Sequence, residues 1–489
     1  MRATDIKIEG IKTFQVKELK ISHRPNEHAK LMLEGYISET EVETVRRLAL
    51  ADEVVQVSME ENGDKQLWCG YMYDMEIQHL LHETYLKMTL ISQSVKMDRE
   101  KKTRSFQKQG TKIGDIIAYV CKEYQATVIV NGVDKLIDGM VVQYQETDWE
   151  FLKRLASQLN EQVIVHSKYV SLVMDVGIQA AVGAIIQAPS QVTYRSDIQS
   201  LRRALDYELS EADVEQVIFE SRELYEMADI VQTTKGEFVI YDIESGFQQE
   251  ELVLEYIGYR RKNYKTPIVR NKRIIGASLN GKVHAVSGSK VQVDLDVDAD
   301  NTLCGNKDFS YATVYSSEAG TGWYCMPEIG DTVRVYFPSD RERNAYAISS
   351  VHLDVQIDHS RSNPEIKSIS NAQNKQVVFA PDGIMIQNTE NMYVMLSDTN
   401  GIEIKSDLPI SIHSDTNVTI SANQDIEISG KAQVALKQGT CGTTIAQGGA
   451  PTTTAVAPTT QDATVLLSEG MVTVSGVEFR LQENEGNGH

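Results

Sequence analysis

Four aspartates near residue 300 are the first residues whose spacing suggests chemistry. They alternate with apolar residues along one short stretch: Asp294, Asp296, Asp298 and Asp300. Carboxylates at alternate positions also open a calcium-binding loop, but Asn301 stands where such a loop needs glycine and Lys307 where it needs a bidentate glutamate. Alternation with a period of two is what a strand with one solvent-exposed face produces, so a plain strand is the favoured interpretation.

Two histidines and a glutamate resemble a metal site only in part. His79, His82 and Glu83 follow the order His-x-x-His-Glu, which matches neither common metalloprotease arrangement, and no third ligand can be named. His413 follows an inward-facing Ile412, so we expect its ring to point outward. No metal site is predicted.

The sequence contains no recognisable catalytic motif. It has no Gly-x-Ser-x-Gly nucleophile elbow, no phosphate-binding loop and no Gly-x-Gly-x-x-Gly run, and no pair of carboxylates is singled out by its surroundings. The five cysteines show neither metal-binding nor redox spacing, which suits a reducing compartment: Cys69, Cys121, Cys304, Cys325 and Cys441. The prediction is a non-enzymatic protein with no catalytic residues, cofactor or bound metal.

Charge and length limit the classes of partner. The 489 residues suggest about three domains. With 69 acidic and 48 basic residues, the formal charge is −21, which disfavours nucleic acids and anionic membranes unless one face is locally basic. No apolar run reaches the roughly 18 residues of a membrane span. Residues 1–7 have no apolar core, so no Sec signal peptide is predicted and assembly in the cytoplasm is expected.

The elements that carry these residues alternate between strands and a few helices. Residues 1–100 show the alternation of half-buried strands, with a short helix over Glu41–Leu50. A second helix is predicted over Thr111–Tyr124. A third begins at Thr147, where Glu150 completes a capping box, and a fourth is predicted over the charged stretch Glu211–Met227.

The middle of the chain looks like a small, independent β-domain over residues 276–352. Strands are predicted at Lys290–Asp298 and Thr332–Phe337, with a turn at Pro327–Asp331. The polar residues 353–380 are predicted to be a linker. Residues 441–489 form a Gly-, Thr- and Pro-rich segment followed by short strands.

Between these segments lies a regular eight-residue repeat. Pairs of apolar residues separated by one residue recur six times in register: Val394/Leu396, Ile402/Ile404, Ile410/Ile412, Val418/Ile420, Ile426/Ile428 and Val434/Leu436. Each repeat reads as a short strand and a bend with two inward side chains. One chain would supply only about two rungs of a triangular solenoid, whereas such folds need three or more stacked units.

Three chains winding around one another would supply enough octads and leave no unpaired sheet edge. The repeat therefore favours a parallel homotrimer with an intertwined β-helix over 381–440. The alternative is an antiparallel meander with eight-residue spacing. No run of two-residue Asn-Gly or Asp-Gly hairpin turns separates the strands, which counts mildly against the meander.

Three segments, in order along the chain, resemble one family. Gln143–Leu155 resembles the hub signature of VgrG and the phage late-control proteins, Gly322–Phe337 resembles the end of that family's OB-fold domain, and the octads resemble its spike. The resemblance implies a mainly β protein with some α-helix: a hub of two tail-tube-like β-barrels (1–275), an OB-fold domain (276–352) and a trimeric intertwined β-helix.

The resemblance also implies a role and partners. The expected role is the structural homotrimeric hub–spike of a contractile injection system, joining the inner tube and baseplate to a membrane-puncturing needle. The implied partners are tail-tube and baseplate proteins, a PAAR-like tip protein and, as an open option, effector cargo, but no nucleic acid. Two alternatives stay open, a tail-associated peptidoglycan hydrolase and a trimeric β-helical adhesin or tail fibre. The short segment after the octads favours a phage-tail-like or extracellular particle.

Overall fold

The structure is a computed structural model that forms two compact units, Met1–Val355 and Gln356–His489. It describes these residues: 3–60, 64–80, 83–178, 191–194, 210, 212–248, 251–298, 304–317, 319–350, 363–438, 441–446, 452–454 and 474–475.

The first part of the larger unit contains eleven strands and three helices. In chain order they are β1 (Ile6–Ile8), β2 (Phe14–His23), β3 (Lys30–Ile37), α1 (Val42–Leu50), β4 (Val55–Glu60), β5 (Asp64–Leu80), β6 (Glu83–Ile91), β7 (Lys101–Phe106), α2 (Ile113–Lys122), β8 (Thr127–Val130), β9 (Val141–Thr147), α3 (Asp148–Gln158), β10 (Val163–His166) and β11 (Val173–Val176). The first two predicted helices are α1 and α2, and both predictions are confirmed.

In the described residues of the rest of the larger unit, ten strands follow. They are β12 (Gln191–Tyr194), β13 (Glu215–Ser221), β14 (Ile230–Thr233), β15 (Gly236–Gln248), β16 (Glu251–Tyr259), β17 (Ser278–Ser287), β18 (Lys290–Leu295), β19 (Asp308–Ser310), β20 (Thr332–Tyr336) and β21 (Tyr346–Ile348).

One continuous eleven-stranded sheet runs through the region predicted to be the hub, and it is called the hub sheet below. Its order is β1-β4-β5-β6-β3-β2-β15-β16-β13-β12, with β14 on β15, so the early strands join the later ones where β2 pairs with β15. Apolar residues alternate along these strands and pack on one core, which includes Leu31, Trp68 and Phe238. Two related closed barrels in this region remain a prediction.

The helix predicted over Glu211–Met227 is wrong. Within the described residues of that stretch, a 3-10 turn at Ala212–Val214 leads into β13. Val217 and Phe219 alternate with polar residues, and both are buried where β13 pairs with β16. Burial of this alternating pattern in the sheet outweighs the helix propensity of the surrounding charged residues.

A helical layer lies between the hub sheet and the next domain. Helices α2 and α3 pack on the small sheet β10-β11-β8 and on the β7–β9 pair. The capping box is confirmed, because the Glu150 amide donates to the Thr147 hydroxyl (3.0 Å) and the Thr147 amide donates to the Glu150 carboxylate (3.1 Å). Phe151 and Leu155 are fully buried, which anchors α3.

The predicted OB-type domain forms an antiparallel sheet of order β19-β18-β17-β20-β21. Its turn is as expected: Gly330 has φ +94°, and its amide donates to the Val283 carbonyl at 2.8 Å. The expected plain strand over the aspartates is only half right, because β18 ends at Leu295 and the chain turns at Asp296–Asp298. Asp300 and Asn301 lie outside the described residues.

An antiparallel meander of five strands is the first sheet described in the second unit: β22 (Lys367–Ser370), β23 (Gln376–Ala380), β24 (Gly383–Thr389), β25 (Met392–Ser397) and β26 (Gly401–Lys405). The later strands of this unit are β27 (Asp425–Ile426), β28 (Gln433–Gln438), β29 (Cys441–Ala446), β30 (Thr452–Thr454) and β31 (Val474–Ser475). The segment predicted to be a linker therefore carries β22 and β23. The boundaries of the hub, OB-type and spike regions stay predictions.

The first two octads adopt the alternative pairing. Val394 pairs with Ile404 and Leu396 with Ile402 in antiparallel register within the chain, whereas the intertwined trimeric β-helix over 381–440 stays a prediction. The cause of the reversal is local: Asn400 precedes Gly401, whose φ of +79° permits a tight turn. The described residues 406–424 form no strand within the chain.

No helix in the described part of the chain is long and apolar enough to cross a membrane.

Candidate assembly interface

A buried carboxylate anchors the helical layer. Asp148, the first residue of α3, is fully buried and receives four bonds: from Lys102 (2.8 Å), Arg104 (2.6 Å), the Tyr124 hydroxyl (2.7 Å) and the Gln143 amide (2.9 Å). Burial alone would raise the pKa of Asp148, but these donors outweigh it and hold the pKa below its ordinary value. The start of α3 is thereby tied to α2 and to the β7–β9 pair.

A buried arginine joins the same helix to the OB-type domain. Arg154 donates to the Glu146 carboxylate (2.8 Å), to Glu342 (2.9 Å) and to the Val142 carbonyl (2.6 Å). Its side chain is only 4% exposed. A buried guanidinium is tolerated because its donors meet carboxylates and a carbonyl in a fixed geometry. Glu342 lies between β20 and β21, so Arg154 fixes the OB-type sheet against the helical layer.

Further polar contacts support the same junction. Arg273 donates to both oxygens of Glu150 (2.9 and 3.0 Å) and, largely through this contact, lowers the pKa of Glu150 to about 2. On another part of the junction, the Ser105 amide (2.6 Å) and hydroxyl (2.5 Å) donate to the buried carboxylate of Asp298. The OB-type domain is therefore held to the rest of the larger unit at several separate points.

An ionic cluster around His166 joins the helical layer to the later strands of the hub sheet. His166 on β10 contacts Asp175 (2.8 Å) and Glu226 (3.3 Å), and Lys168 pairs with Glu226 (3.1 Å). Burial alone would lower the pKa of His166, but the two carboxylates outweigh it and raise the pKa to about 9. Glu226 lies between β13 and β14, so the charged imidazolium bridges two parts of the unit.

Because of this cluster, the stability of the larger unit should decrease at alkaline pH. The folded-state pKa of His166 is raised from 6.5 to about 9, so its contribution is complete below about pH 6.5 and is lost as the pH rises through about 9. We expect His166→Gln to lower the free energy of unfolding by up to about 3 kcal/mol near pH 6, and by much less above pH ~9.5.

The measurement is chemical denaturation at the two pH values, with unfolding monitored by tryptophan fluorescence. His284→Gln is the control, because His284 is an exposed histidine on the OB-type domain that pairs with exposed Asp294. Equal losses for His166→Gln at both pH values would contradict the charged bridge.

The sequence-predicted metal candidates do not form a site in the described residues. His79 is exposed and contacts Glu39 (3.4 Å), while His82 lies outside those residues. No group of three or more His, Cys, Asp or Glu side chains in the described ranges could hold a metal ion. The His413 side chain is 88% exposed, but its neighbour Ile412 is 75% exposed too, so the expected outward direction stays a prediction.

Asp148 and Arg154 were missed as functional residues. From sequence spacing alone, Arg154 would be expected to pair with Glu150, which lies four residues earlier on the same face of the helix. Instead it pairs with Glu146 and with Glu342, which is 188 residues away. The only local signal was the capping box beside Asp148, and it marks the start of the helix rather than an ionic cluster.

The octad region exposes an apolar surface in a single chain. The exposed fractions lie between 54% and 75% for these six residues: Ile402, Ile404, Ile410, Ile412, Val418 and Ile420. Regularly spaced aliphatic side chains on a solvent-exposed surface mark an interaction site.

Comparison with known proteins matches the helical layer and part of the hub to one family. Residues 33–160, from within β3 to the end of α3, match the family model described as phage tail baseplate hub (GPD). No curated protein matches the sequence. Over these residues the chain is similar to a phage tail baseplate hub, which agrees with the resemblance to VgrG and the phage late-control proteins.

Solved structures agree in fold. An E. coli protein, c3393, is described as a component of the type VI secretion system with structural similarity to the T4 bacteriophage tail proteins gp27 and gp5. It shares 12% identity with this chain at a TM-score of 0.51, over 71% of this chain and 99% of its own.

More distant structures are a Francisella PdpA–VgrG complex (8% identity, TM-score 0.49, 82% of this chain and 88% of that one) and a Shewanella oneidensis prophage MuSo2 tail protein of 43 kDa (13% identity, TM-score 0.39, 53% and 98%). The match to a tail baseplate hub over residues 33–160 indicates a structural role, and within the larger unit Asp148 and Arg154 join the helical layer to its neighbours.

Proposed function

We propose that three copies of this hub–spike chain assemble into the hub and needle of a contractile injection system. The observation that carries the proposal is the exposed apolar face of the octads, because a single chain leaves Ile410, Ile412 and Ile420 in water. Two further copies would cover it by forming an intertwined β-helix from residues 406–440.

The larger unit would serve as the hub. Two tube-like barrels per chain in a trimer would present six similar faces to a hexameric tail tube, which resolves the mismatch between threefold and sixfold symmetry. The ionic contacts at the helical layer suit this role, because they hold the OB-type domain at a fixed angle under load. The needle would end in a PAAR-like tip protein, with effector cargo as an optional passenger.

The action is mechanical rather than catalytic. Sheath contraction would drive the needle through a target membrane, after assembly in the cytoplasm. The E. coli and phage T4 proteins named above belong to such machines by their own descriptions, which supports the proposal for this chain.

The test is the mass of the full-length chain in solution, followed by electron microscopy of the particles. A trimer with a narrow rod at one end is the expected result. A monomer at every concentration would exclude the proposal. Release of fragments from purified cell walls by the wild-type trimer would instead support the tail-associated hydrolase.

A further inference from the structure

One short segment of this acidic chain is strongly basic. Residues 260–273 contain seven Lys and Arg residues and no Asp or Glu, although the whole chain carries a formal charge of −21. The segment connects β16 to the OB-type domain. Such a reversal of charge in a single connection is a candidate recognition surface.

Part of this charge is used within the molecule. Four of the cations pair with carboxylates of the same unit: Arg260 with Glu215, Lys262 with Asp213, Lys265 with Glu161 and Arg273 with Glu150. The other three, Arg261, Arg270 and Lys272, are exposed and have no carboxylate partner among the described residues. Of these, Arg270 and Lys272 line a groove and are available to a ligand there.

The backbone of the segment is held in place. The Val269 amide donates to the Ser157 hydroxyl (2.9 Å), and the Gln158 amide donates to the Val269 carbonyl (3.1 Å). The Thr266 amide donates to the Asn160 carbonyl (3.2 Å). The segment therefore lies along the end of α3, and its cationic side chains are presented from a fixed support.

Two adjoining grooves collect further cations around this segment. Arg154 and Arg270 line both grooves, which have empty volumes of about 1030 and about 1010 Å³. Five cations in them lack a carboxylate partner among the described residues, and we call them the basic strip: Lys135, Lys153, Arg270, Lys272 and Arg341.

Each carboxylate in the grooves already has a cationic partner, although Arg154 is shared by two of them, which leaves one negative charge against the five cations of the basic strip. They pair as follows: Glu146 and Glu342 with Arg154, Glu150 with Arg273, and Asp138 with Arg343. The net charge presented to a ligand is positive. Ile268 and Val269, 41% and 52% exposed, add an apolar patch beside Arg270.

The combination of unpaired cations with an aliphatic patch favours an acidic polypeptide over a nucleic acid as the partner. Proteins that bind single-stranded nucleic acid stack bases on exposed aromatic side chains, and the lining of the two described grooves contains none. Aliphatic side chains beside unpaired cations instead suit a polypeptide with both carboxylates and apolar residues.

We propose that the basic strip binds an acidic segment of another protein, with Asp or Glu side chains on Arg270 and Lys272 and apolar side chains on Ile268 and Val269. This inference does not depend on the hub–spike role, because it rests only on the charges and grooves of the larger unit.

The test measures binding of a fluorescein-labelled peptide of alternating glutamate and leucine to the full-length chain by fluorescence anisotropy. The double variant Arg270→Glu/Lys272→Glu should weaken binding at least about tenfold. The control Lys282→Glu/Lys290→Glu changes the net charge equally on exposed residues of the OB-type domain and should bind as the parent does. Added salt should weaken binding by the parent.

Other outcomes would overturn the proposal. Equal binding by both double variants, or no binding by the parent, would show that the strip recognises no acidic polypeptide. Tighter binding of an oligothymidylate, lost in the strip variant alone, would assign the strip to nucleic acid. A change in oligomeric mass in the strip variant alone would identify a second copy of the chain as the occupant. Thermal unfolding of each variant establishes that the fold is retained.

Discussion

Ile410→Asp should abolish trimers of the full-length chain, whereas Ser411→Asp should leave them intact. In a single chain Ile410 is 57% exposed, so an aspartate there would cost little if the chain worked alone. In a threefold needle the same change buries three like charges around one axis, and each unpaired buried ion costs several kcal/mol.

Ser411 is the matched control because it lies between the two apolar residues of the octad and, in the strands of the proposed needle, would face the opposite side. Ile420→Asp and Thr419→Asp form a second pair with the same logic. Mass by light scattering and the melting temperature are the two measurements. Trimers of equal mass and melting temperature in all four variants would show that the octads do not face a shared axis.

Arg154→Met should destabilise the larger unit by about 3–5 kcal/mol, because it leaves Glu146 and Glu342 without their cation in a poorly solvated site. The methionine fills similar space, so the loss reports the missing charge rather than a cavity. Adding Glu146→Gln should recover part of the loss by removing one unpaired buried charge.

The comparison is with a solvent-exposed ion pair. Arg99 pairs with Asp52 (2.8 Å), and both side chains are more than half exposed, so Arg99→Met should cost less than about 1 kcal/mol. Chemical denaturation of the three variants measures the difference. If Arg154→Met costs no more than Arg99→Met, the buried contact to Glu342 does not hold the OB-type domain.

The octad substitutions and the Arg154 substitution test different interfaces. The octad substitutions act between chains, whereas Arg154 acts within one chain. A variant that loses the trimer but keeps the stability of the larger unit, together with one that does the reverse, would show that needle assembly and hub rigidity are separate properties.

Local patterns were enough to predict several elements. The capping box of Thr147 and Glu150 specifies where α3 begins, because its bonds join residues three apart. Apolar alternation predicted the hub strands, and the octad spacing is visible without any structure. In these cases, interactions between near neighbours or a simple burial period decide the conformation.

Only the tertiary structure decided the rest. Residues 215–221 became a strand because the hub core accepts Val217 and Phe219, although the surrounding charges had suggested a helix. Arg154 found Glu342 across 188 residues, and Arg270 came to line grooves shared with Lys135 and Arg341. Such partners depend on chain closure over long distances, which no spacing rule encodes. The sequence by itself determined the period of the repeats and the start of α3, while the fold decided which charges are buried together and which are left exposed.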